Sequence, residues 1–374
     1  MTRYETTNQT DEILARSEEF VPPALDRIRN DFSGETPDWR VAMKLAIRSS
    51  EQLRSLLALP PEKISDLPVN QSSQKAAVEG EKDFPTFVPL EYLSRIRPGD
   101  LNDPLLRQVL PIQAEDDDVS GFVADPVGDL QVMPAGGVLH KYHRRALLIT
   151  TGACGIHCRY CFRREFPYSL SSAKGSSIEP AMRYLREHED IEEVLLSGGD
   201  PLTLVDERLQ SILSSLESLS HVKRLRVHTR MPIVIPQRIT PRLIDMLRET
   251  RLATWFVVHV NHPNELDQHV LSRLELLIDS GIPVLNQAVL LRGVNDEVEV
   301  LEALCSKLIN HRIQPYYLHQ LDRVRGAAHF EVPIERGLEI IEDLRGRLPG
   351  YAMPQYVAEN AGEKSKTVLV KCDH

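Results

Sequence analysis

Six short aliphatic or β-branched runs alternate with helix-like stretches between residues 145 and 320, and this alternation constrains the fold more than any other feature. The runs are RALLITT (145–151), EEVLLS (192–197), RLRVHTR (224–230), TWFVVHV (254–260), PVLNQAVLL (283–291) and QPYYLHQ (314–320). Between them stand segments with helical spacing, such as IEPAMRYLREHE, DERLQSILSSLESL, PRLIDMLRE, DQHVLSRLELLIDSG and EVLEALCSKLINHR. Runs this short and apolar suit parallel strands covered by helices, because a parallel neighbour is reached only through a crossover. The pattern predicts an α/β fold with a barrel-like or doubly wound sheet. In either arrangement ligands meet the loops at the C-terminal ends of the strands.

Those loops are chemically rich. The first run leads into TGACGIHCRYCFRREFPY (151–168), the second into SGGDPL, the third ends in HTR and the fourth in HVNHPNE. The fifth leads into LLRGVND and the sixth into LHQLD. One site at one end of one barrel is therefore predicted. Residues 1–90 read as a helical, partly irregular extension and linker, with a helix opened by Thr36 as N-cap beside Pro37 and Asp38. Residues 91–144 form a pre-barrel segment, 145–330 the core, and 331–374 a C-terminal segment with a helix over 334–347 and extended chain after it.

Three of the five cysteines, Cys154, Cys158 and Cys161, stand in the spacing CxxxCxxC. They are too close in sequence to pair well with one another as disulfides. Thiolates in such a set hold an iron–sulfur cluster or zinc. Three would satisfy three irons of a cubane and leave the fourth open; a zinc site completed by His157 or another histidine is the alternative. The net charge of −10 disfavours a broad nucleic-acid face. The polar N-terminus and the lack of any apolar run near the ~20 residues of a membrane span predict a cytoplasmic protein with no membrane partner.

The cysteine loop after the first strand and SGGDPL after the second resemble the radical S-adenosylmethionine (SAM) superfamily. That resemblance implies a [4Fe-4S] cluster on Cys154, Cys158 and Cys161, with SAM on the open iron and an external electron donor. Ser197, Gly198, Gly199 and Asp200 would receive the SAM methionine amine, the glycines permitting close backbone approach. A narrower set of motifs runs in order over roughly residues 85–370: CRYCFRREFPY, SGGDPL, HTRMPIVIPQRIT, VNHPNE, NQAVLLRGVND, PYYLHQLD, GAAHF and GYAMPQYV. Together they resemble the lysine 2,3-aminomutase family. DPLLRQVLP, VLHKYHRRALL and GAAHF are similar to its shorter branch, which makes (R)-β-lysine for elongation factor P.

The resemblance implies a partial (β/α)6 radical SAM barrel with a helical N-terminal extension and a C-terminal segment closing over the mouth. It implies an isomerase that moves an amino group from Cα to Cβ of L-lysine with pyridoxal phosphate (PLP). Lys366 in GEKSKT matches the PLP lysine, with Lys364 as rival. Arg145 and Arg230 are candidates for the PLP phosphate, and Lys141 stands where longer relatives have arginine. Arg163 matches the arginine on the substrate carboxylate, where a planar guanidinium suits a bidentate contact; Arg164 beside it reads as structural. Asp296 and Glu359 match the acids that hold the ε-ammonium, though the longer enzymes carry Asp at the second place. Two acids there argue against a glutamate substrate. His259, Asn261, Gln287, Tyr317 and His319 are weaker candidates. Implied partners are L-lysine, a reductant, elongation factor P and its β-lysine ligase, with homo-oligomerisation open. Only Cys372 stands near the end, so no C-terminal zinc site is expected. Another basic amino acid as substrate, and a zinc-binding regulatory barrel, are the competing readings.

Overall fold

Strand β1 (Val138–Tyr142) leads antiparallel into β2 (Arg145–Thr151) in the computed structural model, which describes residues 38–60, 84–168 and 178–371. From β2 the neighbours are parallel and in chain order: β3 (Glu193–Gly198), β4 (Arg224–Thr229), β5 (Ala253–His259), β6 (Val284–Val289), β7 (Gln314–His319) and β8 (Gln355–Ala358). Strand β9 (Thr367–Val368) turns back antiparallel on β8. All six predicted runs are strands. The sheet extends them on both sides, with β1 before the first and β8 and β9 built from the tail.

Helices α1 (Trp39–Leu45) and α2 (Ser50–Leu56) precede the sheet. The crossovers are α3 (Glu179–Glu187), α4 (Asp206–Glu217), α5 (Pro241–Glu249), α6 (Gln268–Asp279), α7 (Val298–Asn310) and α8 (Ile334–Arg345). Their starts follow from local chemistry. Thr240 caps α5 by accepting from Leu243 N (3.1 Å), and Asp267 caps α6 by accepting from Val270 N (2.8 Å). Each then buries one stripe; in α6 this is Val270, Leu271, Leu274 and Leu277.

Side chains alternate across each strand. Leu196, Leu225 and Val227 pack outward under α4 and α5, against Leu209, Leu213 and Leu243. Leu195, Ser197, Arg226 and His228, one residue offset, face an interior cavity. The period of two thus puts polar chemistry on the inner face of strands that read as apolar runs.

The N-terminal helices are not a separate layer. Trp39, Leu53 and Leu57 join the same buried cluster as Ile233 and Val234, and Ile47 bridges to Val88. Helix α1 begins later than expected: Asp38 is its cap and accepts from Arg40 N (2.8 Å). Thr36, Pro37, most of the linker and Cys372 lie outside the described residues. Among the described residues no helix is long and apolar enough to cross a membrane.

Candidate active site

The curled sheet encloses a cavity of about 370 Å³. Both ends of the strand order line it, β1 through Lys141 and Tyr142, and β8 and β9 through Gln355, Val357 and Val368. The two ends meet through ions: Lys141 Nζ donates to Glu359 Oε1 (2.8 Å).

Cys154, Cys158 and Cys161 line the cavity from the loop after β2. The loop is pinned from outside by the pre-barrel segment and the end of the N-terminal extension, with Arg159 N donating to Gln108 O (2.9 Å) and His157 N to Phe87 O (3.0 Å). The Arg159 side chain is fully buried and paired with Glu115, which also holds Arg164 (2.8 Å). Arg164 is therefore part of the loop's frame. His157 stacks on Phe84 (ring centroids 5.1 Å apart), and its Nδ1 meets Pro85 O (2.7 Å). It stands outside the cavity lining, where His228, His259 and His319 are the histidines present. Among the described residues no three His, Cys, Asp or Glu side chains close on a single-ion site. Three thiols facing one cavity are the donor set of a cubane that leaves one iron open.

The glycine motif leans directly on this loop. Gly199 N donates to Thr151 O and Asp200 N to Ala153 O, both at 2.7 Å. Gly198 has φ +117°, and a Cβ on Gly199 would run into Ala153 O. Ser197, Gly198 and Gly199 line the cavity beside the cysteines, as a SAM cradle requires. The Asp200 carboxylate is spent within the protein. It accepts from Leu202 N (3.0 Å), Thr229 Oγ1 (2.7 Å), Arg230 N (2.7 Å) and Met231 N (3.0 Å). It locks the end of β3 to the end of β4.

Arg230 departs from its expected place among the phosphate cations. Its guanidinium turns to the cysteine loop, donating to Cys158 Sγ, Tyr160 Oη and Gln108 Oε1 (each 2.7 Å) and to Glu265 Oε2 (2.8 Å). Arg145 lines the cavity, lies over the Tyr142 ring (4.8 Å), and its buried Nε has no partner in the protein. With Arg226 and Lys141 also lining the cavity, an orphaned guanidinium donor fits an anion such as the PLP phosphate.

Lys366 and Glu359 line the same cavity and are ion-paired to each other. Burial pushes the Glu359 carboxyl up, but the Lys366 and Lys141 ammoniums outweigh it and hold the group at about 2. Arg163 is buried; its Nε donates to Asp129 Oδ2 (2.8 Å), and Lys141 stands 3.5 Å from the other Asp129 oxygen. Asp296 falls elsewhere. Its carboxylate accepts from Gly293 N (2.8 Å) within its own turn, and it is not among the cavity-lining residues. Its place in a sequence motif is taken up by the turn that motif makes. Tyr317, His319, His259 and Gln287 line the cavity; Asn261 is fully buried in the network around Tyr160.

Sequence reasoning missed Asp129, Arg226, His228 and Asp322. Asp322 lines the cavity beside Glu359; burial, with that carboxylate's help, lifts it to about 7 against the pull of Lys366. Burial depresses His319 to about 3 and His228 well below the ordinary range, helped by nearby cations, so both rings are neutral. LHQLD at the end of the sixth run carried the signal for Asp322, and strict alternation in RLRVHTR the signal for Arg226 and His228. Asp129 sits in an irregular loop with no periodic pattern to find it.

The profile of the radical SAM superfamily matches residues 148–304, which span β2 through most of α7. L-lysine 2,3-aminomutase of Haemophilus influenzae is 39% identical over 337 residues, covering 90% of this chain and 97% of that protein. The enzyme of the same name from Escherichia coli is 40% identical over 89% of this chain and 94% of its own length. That of Clostridium subterminale is 37% identical over 89% of this chain and 78% of its own length. Similarity of this extent, carried by a thiol-lined cavity with a lysine at its other end, shows that the chain belongs to the L-lysine 2,3-aminomutase family, radical SAM enzymes that work with a [4Fe-4S] cluster, SAM and PLP.

Proposed function

We propose that the protein isomerises L-lysine to (R)-β-lysine and that this product serves the modification of elongation factor P. The observation that carries the reading is a single cavity lined by three cysteines and a glycine cradle, and also by a lysine among carboxylates. When bound, the cluster and SAM supply a hydrogen-abstracting adenosyl radical, and PLP supplies the carbon that carries the migrating nitrogen. Cys154, Cys158 and Cys161 would hold the cluster, and Ser197 to Gly199 would receive SAM with Asp200 fixing their loop. Lys366 Nζ is the amine that would keep PLP between turnovers, with Arg145 on its phosphate, assisted by Lys141.

Arg163, held through its Nε by Asp129, presents its outer nitrogens to the substrate carboxylate. Glu359, ionised throughout the neutral range, takes the ε-ammonium, and Asp322 provides the second acid that Asp296 does not bring to the cavity. Residues 145–330 thereby serve as the radical core and 331–374 as the PLP segment.

The test is anaerobic reconstitution with iron and sulfide, then incubation with SAM, PLP, dithionite and L-lysine. Chiral chromatography should show (R)-β-lysine. No β-lysine, or faster turnover of ornithine or arginine in competition, overturns the substrate. Incubating the product with elongation factor P and its ligase should add one β-lysyl mass; no gain overturns the proposed destination.

A further inference from the structure

Arg230 stands at the centre of a buried polar network. The side chain is buried, 7% exposed, and that of its counter-charge Glu265 is 0% exposed. Glu265 is itself saturated: Oε1 accepts from Gln108 Nε2 (3.2 Å), Asn261 N (2.9 Å) and His262 N (3.1 Å), and Oε2 takes Arg230. Tyr160 Oη receives Arg230 Nη1 and Asn261 Nδ2, both at 2.7 Å, and meets His259 Nε2 at 2.8 Å. The backbone of Arg230 is fixed as well, through the Asp200 carboxylate that also ties down the glycine motif. The loops after β2 and β5 and Gln108 before β1 thus converge on one guanidinium, which also donates to the sulfur of Cys158. Among the described residues Cys158 is the one member of the cysteine triad with a side-chain cation hydrogen-bonded to its sulfur.

We infer that Arg230, held by Glu265, is a positioning residue that sets the reduction potential of the cluster through Cys158. A [4Fe-4S] centre gains one negative charge on reduction. Hydrogen bonds to its sulfurs and nearby charge are the protein's means of adjusting that step. A buried cation against one ligand sulfur favours the reduced state. Glu265 acts in the opposite sense: it fixes the guanidinium and offsets part of its charge. The two residues therefore pull the potential in opposite directions, which a purely structural pair would not do.

The experiment is an anaerobic redox titration of the reconstituted full chain, following the reduced cluster by electron paramagnetic resonance, without lysine. Iron and sulfide are measured first. A wild-type chain that binds no cluster would sink the family's cofactor reading, not this one. Among variants with full iron, Arg230→Gln should move the midpoint to more negative potential, Arg230→Lys should fall between it and wild type, and Glu265→Gln should move it the other way. The cluster spectrum of Arg230→Gln should also change, since one sulfur loses its donor. Unchanged midpoints in Arg230→Gln overturn the inference, as do shifts of one sign in both Arg230→Gln and Glu265→Gln. Should Arg230→Gln fail to retain iron, Arg230→Lys and Glu265→Gln decide alone: a Glu265→Gln midpoint equal to or below wild type overturns it.

Discussion

Two ionic assemblies at the cavity, Arg230 with Glu265 and Glu359 with Lys366 and Lys141, are built on opposite plans. Arg230 and Glu265 are closed on themselves: the acid's oxygens are filled by the protein's own donors, and the arginine is spread over four acceptors. Lys366, Glu359 and Lys141 form an open chain of ions that bridges the two ends of the sheet. A pair buried among the protein's own donors and acceptors fixes geometry, because moving it would strand a buried charge. A partly exposed chain of ions lining a cavity can be rearranged by a ligand that brings its own charges. The difference assigns one end of the cavity to holding and the other to exchange.

The largest effects should come from removing the groups on which each end depends. Cys158→Ala should abolish the iron–sulfur absorbance and reduce β-lysine formation to background, while Cys305→Ala, on buried α7, should keep both. Lys366→Ala should likewise remove activity together with the PLP absorbance of the loaded protein, yet leave iron content unchanged. Loss of iron in Lys366→Ala would contradict the separation of the two ends.

A smaller effect separates the acids. Losing one charge-assisted hydrogen bond to the substrate costs about 1.5–3 kcal/mol, roughly 10–150-fold in KM. Glu359→Gln should show this, and Asp322→Asn a weaker rise. Asp296→Asn should change KM within about twofold, since its carboxylate serves its own turn. If Asp296→Asn proved as costly as Glu359→Gln, the cavity's acids would have been misassigned.

The smallest effect is on stability. His319 is held at about 3, so as pH falls the unfolded chain, with an ordinary histidine value near 6.5, takes up the proton first. Its contribution is complete above that value and shrinks below it, by about 2 kcal/mol between pH 6.5 and 5. Glu359 behaves with the same sign at lower pH, its contribution being present above its ordinary 4.5 and lost as pH falls through about 2. Asp322, raised to about 7, gains stability over the same range and opposes His319, so the test is a difference: the change in melting temperature from pH 7 to 5 should be less unfavourable in His319→Gln than in the wild type. An equal change in both proteins would count against this assignment.

The holding end was the more legible of the two in the sequence. CxxxCxxC and SGGDPL are local motifs, and backbone hydrogen bonds between adjacent strand ends place them side by side. Lys366 and Glu359 were legible only through family resemblance, because nothing local says that a tail two hundred residues away becomes the eighth and ninth strands. Arg230 shows the limit of placing side chains by strand ends alone: its position at the end of β4 was readable, but which way its guanidinium turned was set by Glu265 after β5 and Gln108 before β1.

By itself the sequence determined the alternation of six strands and helices, the cysteine loop and the end of the barrel where chemistry gathers. Those follow from periodicity and spacing, which act over a few residues. The tertiary structure decided which charges face the cavity and which are consumed in the frame. Asp129 and Asp322 were drawn in, Asp296 was left in its turn, and Arg230 was directed onto a sulfur. Such choices depend on which distant partner satisfies a buried ion, and the cost of leaving one unpaired makes them binding on the fold.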